Sequence, residues 1–527
     1  MLYLKTSSAL RGATAALVLG AVLSVPAAAF AQEAPAQTFD IRAFQVRGNT
    51  VLAPDAVERA VYPFMGPGRS EADVESARAA LQQAFEDAGY IAVAVYIPEQ
   101  SVEGGILQLE VQPQVIGQVT VEGGDRARIL AQAPSLTPGE TPNLPAFQRD
   151  VVALNQNPNR RVTPELRAGT APGSLDVVLT VEETTPWKAS IEANNYSSSA
   201  TSEYRASATV RHDDLWGRGD SLSFTMQTAP ERTDDGTVWS SNYLHRLGQG
   251  AQLMVYGVHS DSDIAVIGGT SVVGRGNIVG ARYIRSLGAT EGFYHALTLG
   301  VDWKDFQEDV RLGADRASAP IEYFPFTASW RGDWMGETGT SDLSLSATFA
   351  FRGLGDGWEE FDAKRYNARP GFLVLKMDSG HTEELPGGAQ FHGRLTGQWS
   401  ADPLISNEGF SIGGISTVRG YSESEVLGDW GFALQSELRS RDIAPDFDLS
   451  GFNELRVLTF VDVGHATIHD PLIGQSASDG LISAGVGARI RLFDHFNGAL
   501  DVGVPILEGP STDTGSLFAR FRIWGEF

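Results

Sequence analysis

The chain has 527 residues, a formal net charge of −25 at pH 7 and no cysteine. This length predicts two to four folded units. The acidity argues against a nucleic-acid partner, because phosphate binding needs clustered Lys and Arg. Without cysteine the chain has no disulfide scaffold, thiolate zinc site or cysteine nucleophile, and we predict no metal and no cofactor.

Residues 1–31 have the layout of a secretory signal peptide. Lys5 and Arg11 give a positive start, residues 13–25 form a short apolar stretch, and Ala29-Phe30-Ala31 places small residues before Gln32. The alternative, an N-terminal membrane anchor, needs about 18 or more apolar residues, and a proline interrupts this stretch. The pattern therefore predicts an exported chain, with residues 32–38 as a short segment before the first domain.

Residues 39–113 predict a small α+β unit with the order β-α-α-β-β. Helical periodicity at Val74, Ala77, Leu81 and Phe85 follows a capping pattern at Ser70. The expected elements are a strand at 39–46, a short helix after Pro54, a helix from Ser70-Glu71 to Gly89, and strands at 91–97 and 106–111.

Residues 114–184 repeat this order in weaker form. The expected elements are a strand at 115–122, a helix opening at Leu144-Pro145, and strands near 160–167 and 175–181. Two copies of one supersecondary unit in tandem indicate an internal repeat.

From residue 185 to 527, alternating segments of about ten residues recur between Gly, Asp and Ser clusters. At Trp187-Lys188-Ala189-Ser190-Ile191, for example, one face is apolar and the other polar. A soluble sandwich could show the same alternation, but its strands would be about five or six residues long. At about 20 to 22 residues for each strand and its connection, this region predicts an all-β transmembrane barrel of about 16 antiparallel strands, and about 14 or 18 strands would also fit.

The final segment predicts how the barrel closes. Phe521, Ile523 and Phe527 lie on one face of an alternating strand that ends with the chain. A strand without a tail can pair with the first strand and remove both sheet edges, as a membrane requires. We therefore predict these three residues as the closure and assembly signal.

With these features the chain resembles the outer-membrane transporters of two-partner secretion (TpsB), the haemolysin activation and secretion proteins of the BamA-like superfamily. The two tandem units resemble the two POTRA domains of that family. The most specific match is the run Gly413-Gly414-Ile415-Ser416-Thr417-Val418-Arg419-Gly420-Tyr421, similar to a VRGY-type motif on a loop that folds back into the barrel. The run Phe460-Val461-Asp462-Val463-Gly464 is similar to the inner-strand motif that receives the arginine.

The resemblance implies that Val418, Arg419, Gly420 and Tyr421 lock this loop and that Asp462 is the partner of Arg419. Alternation along its strand places Asp462 on the inner face, where a carboxylate can hold a guanidinium bidentately. The alternative is that Arg419 lies in an exposed glycine turn and that Asp462 is an ordinary luminal charge.

Gln435, Glu437 and Arg439 also alternate with apolar residues and are predicted to face the lumen. They are candidate contacts for the loop or for a translocating chain, but the preferred interpretation is a simply solvated lumen.

The resemblance implies that an exported partner polypeptide, large and repeat-rich, is recognised by periplasmic POTRA domains. That partner would then pass unfolded through an outer-membrane barrel. Further expected partners are outer-membrane lipid and, during biogenesis, the barrel-assembly machinery. The family usually has a plug helix before its first POTRA domain, but residues 32–38 are too few to thread a barrel about 30 Å deep at about 3.5 Å per residue.

Three other functions have weaker support in the sequence. A BamA-like assembly factor for outer-membrane proteins keeps the fold but more often has three or more POTRA domains. A passive porin would not need a periplasmic arm. An enzyme is disfavoured because the sequence has neither a Gly-x-Ser-x-Gly elbow nor a His-Glu-x-x-His zinc helix.

Overall fold

The computed structural model describes residues 38–527 except 200, 234–235, 249, 262–263, 268–269, 274, 291 and 313–314. The predicted signal peptide and residues 32–37 lie outside the described residues. The chain divides into two compact units, the first running to Ala88 and including 93–113, the second comprising 89–92 and 114–527. Among the described helices, none has the length and apolar character needed to cross a membrane.

The first unit packs two helices against a small mixed sheet. Its elements are β1 (Phe39–Ile41), β2 (Ala43–Arg47), α1 (Pro54–Val61), β3 (Gly66–Arg69), α2 (Glu71–Asp87), β4 (Val93–Tyr96) and β5 (Ile106–Pro113). The sheet has the order β2-β5-β4, with β2 parallel and β4 antiparallel to β5.

Helix α2 forms where the sequence predicts it. The main-chain N–H of Ser70 donates to Asp73 at 2.8 Å, which lowers the pKa of that carboxyl. The periodic apolar side chains of the helix, Val74, Ala77, Leu81 and Phe85, are all buried. One detail differs from the prediction: the first strand breaks at Arg42, and its first part, β1, pairs with the unpredicted strand β3.

The second unit begins with a repeat of this arrangement. Its elements are β6 (Val115–Glu122), α3 (Arg126–Ala131), α4 (Leu144–Leu154), β7 (Arg160–Ala168) and β8 (Ser174–Glu183), with the sheet order β6-β8-β7. Helix α3 was not predicted, because six residues are too few to show a helical period. Its beginning is fixed by Asp125, whose side chain accepts hydrogen bonds from the main-chain N–H groups of Ala127 and Arg128.

Among the described residues, the rest of the chain contains twenty strands and one short α-helix. In chain order these are β9 (Trp187–Asn194), β10 (Arg205–Leu215), β11 (Asp220–Thr228), β12 (Val238–Gly248), β13 (Ala251–Ser260), β14 (Ile264–Ile267), β15 (Thr270–Val273), β16 (Gly276–Thr290), β17 (Phe293–Leu312), β18 (Asp315–Met335), β19 (Gly339–Gly355), α5 (Trp358–Lys364), β20 (Leu373–Glu384), β21 (Gln390–Ser400), β22 (Phe410–Ile412), β23 (Val426–Gly428), β24 (Trp430–Arg439), β25 (Phe452–Thr467), β26 (Ser478–Leu492), β27 (Phe496–Pro505) and β28 (Phe518–Glu526).

Sixteen of these strands close into an antiparallel barrel, as predicted, while β14–β15 and β22–β23 form separate hairpins. The last strand, β28, pairs with the first, β9, from Arg522 opposite Asn194 to Glu526 opposite Ser190. Ile523 and Phe527 are 58% and 53% exposed on the outer surface of the closure. The main-chain groups of Phe527 also bond to those of Ala189, at 2.8 and 2.9 Å.

The two faces of the strands differ as the alternation predicts. On β25, Val457 and Val461 are exposed outward, whereas Leu458, Phe460 and Asp462 are buried inside. The apolar outer face can contact lipid, and the inner face carries the polar groups.

An arginine of the second POTRA-like repeat contacts one end of the barrel and so identifies the end nearest that repeat. Arg128 of α3 lies 2.6 Å from Asp214, at the end of β10, and 2.6 Å from Glu183 of β8. The connection between β21 and β24, residues 401–429, and the loop that contains α5 therefore begin at the opposite end of the barrel.

We predict that a lysine on the outer face destabilises the barrel more than a lysine on the inner face. Leu345 of β19 is exposed outward, and the adjacent Ser344 lies between Arg331 and Asp378 on the inside. Leu345→Lys should lower the free energy of unfolding by up to about 2–4 kcal/mol, since the charge must leave water for acyl chains.

Denaturant titration of the protein folded into lipid vesicles measures this difference. Ser344→Lys is the control, and equal stability of the two variants would contradict the assignment of the faces.

Candidate functional site

The connection between β21 and β24 folds into the barrel. Its two limbs pair as the hairpin β22–β23, in register from Phe410 opposite Gly428 to Ile412 opposite Val426. Beyond the hairpin lies the tip, residues 413–425. There Val418 and Tyr421 are fully buried and Arg419 is 2% exposed. The tip is therefore enclosed by the barrel wall, which excludes the alternative of an exposed glycine turn.

Arg419 makes the central contact of the tip. Its Nε and Nη2 donate to the two oxygens of Asp462 at 2.7 and 2.8 Å, and its main-chain N–H donates to the same carboxylate at 3.1 Å. The guanidinium plane also lies 3.7 Å from the ring centroid of Phe460. The structure thus places the motif arginine bidentately on the inner-strand aspartate named from the sequence.

Two more carboxylates approach the same guanidinium. Nη1 of Arg419 donates to Glu437 on β24 and lies 3.4 Å from Asp501 on β27. Arg439 binds Glu437 at 2.6 Å, and Arg489 binds Asp501 at 2.9 Å. This lock cluster therefore contains three arginines and three carboxylates, namely Arg419, Arg439, Arg489, Glu437, Asp462 and Asp501. Their formal charges balance, as burial requires.

The solvated-lumen interpretation of Gln435, Glu437 and Arg439 is wrong for this structure. The amide of Gln435 donates to the carbonyl of Ile415 in the tip at 3.0 Å. Glu437 binds Arg419 directly, and Arg439 binds Glu437. The alternation along β24 gave their inward direction, but it carried no information about which loop fills the space.

The barrel wall makes room for the tip with residues that lack a side chain. A Cβ at Gly503 of β27 would lie 2.8 Å from Cα of Gly420, and one at Gly464 of β25 would lie 2.7 Å from Cγ2 of Val418. Real Cβ atoms are not found at such distances, so glycine at these positions lets the backbone of Gly420 and the side chain of Val418 approach the two strands closely. Tyr421 completes the packing, with its hydroxyl 2.8 Å from the carbonyl oxygens of Ile482 and Leu507.

The base of the loop is held by two further carboxylates that the sequence analysis missed. Glu408 is buried and binds Lys304 at 2.5 Å and the hydroxyl of Tyr323 at 2.7 Å. Asp429 binds Arg365, just beyond α5, with 2.8 Å from Nη2 to Oδ2. The Asp429 carboxylate also accepts hydrogen bonds from the main-chain N–H groups of Leu404, near the start of the same connection, and of His469, in the loop that follows β25.

No sequence signal singles out these base contacts. Glu408 and Asp429 lie in irregular segments without periodicity, and their partners come from distant strands and loops. Only their flanking positions, one on each side of the motif, could have drawn attention to them.

The geometry agrees with the comparisons to known proteins. The family model for haemolysin secretion/activation protein ShlB/FhaC/HecB matches residues 173–249 and 327–490, and the model for a ShlB-type POTRA domain matches residues 39–113. The chain belongs to this family of two-partner secretion outer-membrane transporters. The family expected from the sequence is thereby confirmed.

Curated relatives of this transporter match along most of its length. Outer membrane transporter CdiB of Dickeya dadantii (strain 3937) is 23% identical over 425 residues, which is 76% of this chain and 72% of the relative. Heme/hemopexin transporter protein HuxB of Haemophilus influenzae (strain 86-028NP) is 20% identical over 479 residues, 87% of this chain and 81% of the relative.

Solved structures share the fold. CdiB from Escherichia coli superposes with a TM-score of 0.72 at 20% identity, covering 95% of this chain and 93% of CdiB. BamA from Haemophilus ducreyi lacking POTRA domains 1–3 gives a TM-score of 0.53 at 12% identity, covering 93% of this chain and all of that one (100%). Family membership and the outer-membrane relatives place this transporter in the outer membrane, with its POTRA region in the periplasm.

We predict that a side chain at Gly503 expels the loop tip from the lumen. Gly503→Val places carbon where Gly420 now lies, so the tip must withdraw, and the conductance of the purified protein in planar bilayers should rise. Gly480→Val is the matched control, because the nearest atom to a Cβ at Gly480 is 3.7 Å away.

Circular dichroism and heat-modifiability on gels would establish that both variants insert as barrels. Wild-type conductance from an inserted Gly503→Val barrel would contradict the close packing of the tip.

Proposed function

We propose that this transporter passes its exported partner through the barrel in extended form, after the loop tip that carries Val418 to Tyr421 leaves the lumen. The observation that supports the proposal is the way in which the tip is held. In the part of the chain that the structure describes, the hairpin β22–β23 is a sheet of its own and forms no ladder with a barrel strand. Apart from one main-chain bond, from the N–H of Glu423 to the carbonyl of Ser197 at 3.2 Å, the described bonds between the tip and the rest of the barrel use side chains, so the tip can leave without opening the barrel wall.

The contacts of the lock cluster set a moderate free-energy cost for moving the tip out of the lumen. Breaking the contact between Arg419 and Asp462 exchanges a bidentate ion pair for water, and both groups are well hydrated once the lumen floods. When Arg419 leaves, Glu437 and Asp501 keep Arg439 and Arg489 as partners. The wall that remains is a polar strip suited to a hydrated, extended polypeptide.

The partner that we propose is a large, repeat-rich exported protein. The relatives CdiB and HuxB are named as transporters, and the sequence here has no Gly-Lys-Ser/Thr phosphate loop that could use ATP. Folding of the partner outside the cell would favour its outward passage.

The other partners in this proposal are lipid, which surrounds the apolar outer face, and the barrel-assembly machinery, which inserts the chain. The chain itself has no catalytic activity in this proposal.

The first test deletes the gene and compares the proteins of the growth medium with those of the outer membrane. We expect the loss of one secreted protein from the medium, with the porin content unchanged. A general fall in outer-membrane proteins would instead indicate an assembly factor and would overturn the proposal.

The second test removes the arginine of the lock cluster. Arg419→Ala leaves the buried carboxylate of Asp462 without its partner, which typically costs about 3–5 kcal/mol. We expect the barrel to remain inserted and the secreted protein to be largely lost from the medium, because a tip without its one bound position stays loose in the lumen and obstructs the path of the partner.

Arg331→Ala is the control, since Arg331 is half-exposed and pairs only locally with Asp333. Secretion at the wild-type level by an inserted Arg419→Ala barrel would remove the gating role of the lock cluster.

A further inference from the structure

The connection between β19 and β20 lies at the outer end of the barrel, the end opposite the second POTRA-like repeat. It comprises residues 356–372, contains helix α5, and is named the α5 segment. A connection of this kind usually runs over the surface with its side chains in water. In the α5 segment, however, Phe361 and Phe372 are only 1% and 4% exposed, so the segment packs against the barrel.

Phe361 packs on the inner face of the barrel wall. Its ring centroid lies 5.7 Å from that of Tyr323 on β18, and Tyr323 lies opposite Lys304 of β17 in the ladder. Both Lys304 and Tyr323 bind Glu408, at the base of the loop inside the barrel. Since these two wall residues point inward, the α5 segment folds over the lumen and away from lipid.

One apolar core joins the α5 segment to the wall and to the connection that carries the tip. It buries Phe306 and Ile321 of the wall together with Phe361 of the segment. Leu404 and Ile405, near the start of that connection, belong to the same core. Burial of these side chains holds the α5 segment down on the outer mouth of the lumen.

Polar contacts carry the α5 segment across the mouth to the far limb of the same connection. Arg365, one residue beyond α5, binds the carboxylate of Asp429 and donates to the carbonyl of His469 at 2.9 Å. The amide of Asn367 donates to Asp470 at 3.1 Å. The α5 segment therefore reaches from the wall at β17–β20 to the loop that follows β25.

Beneath the α5 segment, the lumen beside β18–β20 is accessible to water. Ser346 of β19 lies opposite Ser329 of β18 and Lys376 of β20, all on the inner face. The two serines are half-buried, and Lys376 is exposed although the wall surrounds it. The tip packs instead against β24, β25, β26 and β27. The tip and the α5 segment thus close different parts of the lumen.

We propose that the α5 segment is an outer gate of the lumen and that Arg365 is the residue that positions it. A polypeptide moving outward beside β18–β20 meets the underside of Phe361, so it leaves the barrel only after the α5 segment has moved outward. Because Arg365 binds the base of the connection, the gate opens independently of the lock cluster that holds the tip. The inference rests on the proposed function, passage of the partner through the barrel.

The test links the gate to the loop that follows β25. The chain has no cysteine, so Asn367→Cys combined with Asp470→Cys introduces the two thiols that a short, reducible bis-thiosulfonate reagent can join in intact cells. We expect linked cells to lose most of their secretion of the protein identified by gene deletion. A reducing agent should restore it, because the barrel itself is unchanged.

Asn453→Cys combined with Asp494→Cys is the matched control. Here too an asparagine donates to an aspartate, at 2.8 Å, but the pair joins β25 to the turn between β26 and β27 at the periplasmic end. Each pair includes a residue with a positive φ, 61° at Asn367 and 60° at Asp494. Linking the control pair should leave secretion unchanged, and heat-modifiability on gels would establish that both double variants insert.

A loosened gate gives a second readout that does not depend on secretion. Arg365→Ala removes the contact across the mouth, while Asp429 keeps the main-chain N–H groups of Leu404 and His469. The purified variant should show a larger open fraction in planar bilayers. Arg441→Ala is the control, since Arg441 is half-exposed and pairs with Asp446 at the periplasmic end.

Normal secretion by cells in which positions 367 and 470 are linked would overturn the gate. Loss of secretion with both linked pairs, or wild-type conductance from an inserted Arg365→Ala barrel, would overturn it as well. Each of these results leaves the transport function intact. If secretion does not depend on the gene at all, the proposed function fails instead.

Discussion

The buried ion pair of Arg419 and Asp462 is the interaction on which the arrangement of the lumen depends. A guanidinium inside a wet barrel has water as an alternative partner, so a single carboxylate would hold it weakly. Here the bidentate geometry, the ring of Phe460 and two further carboxylates combine around one side chain. The pair therefore fixes one position of the loop without making it part of the wall.

The barrel wall and the loop fit each other through small residues as well as charge. Gly503 lets the tip backbone and Gly464 lets the side chain of Val418 lie close to the wall. Glu408 and Asp429 hold the base of the loop through separate partners. Because tip and base use different contacts, the tip can move while the base keeps its place.

Much of this fold follows from local patterns in the sequence. The alternation of apolar and polar residues predicted the barrel and its closure by the last strand, the length of the region predicted about 16 strands, and helical periodicity predicted α2 and α4. Helices α3 and α5 were missed because six and seven residues are too few to display a period. The break at Arg42 and the pairing of β1 with β3 were missed because a short edge contact has no pattern of its own.

The sequence by itself determined which strand residues face inward, because side-chain direction along a strand repeats every two residues, while the resemblance of its VRGY-type motif to the family pointed to the loop arginine. Only the tertiary structure decided that Glu437 and Asp501 join Asp462 around that arginine, and that Gln435 binds the tip. These partners lie on strands far apart in the chain. Their meeting depends on strand register, barrel closure and the path of one long loop, none of which leaves a trace in local composition.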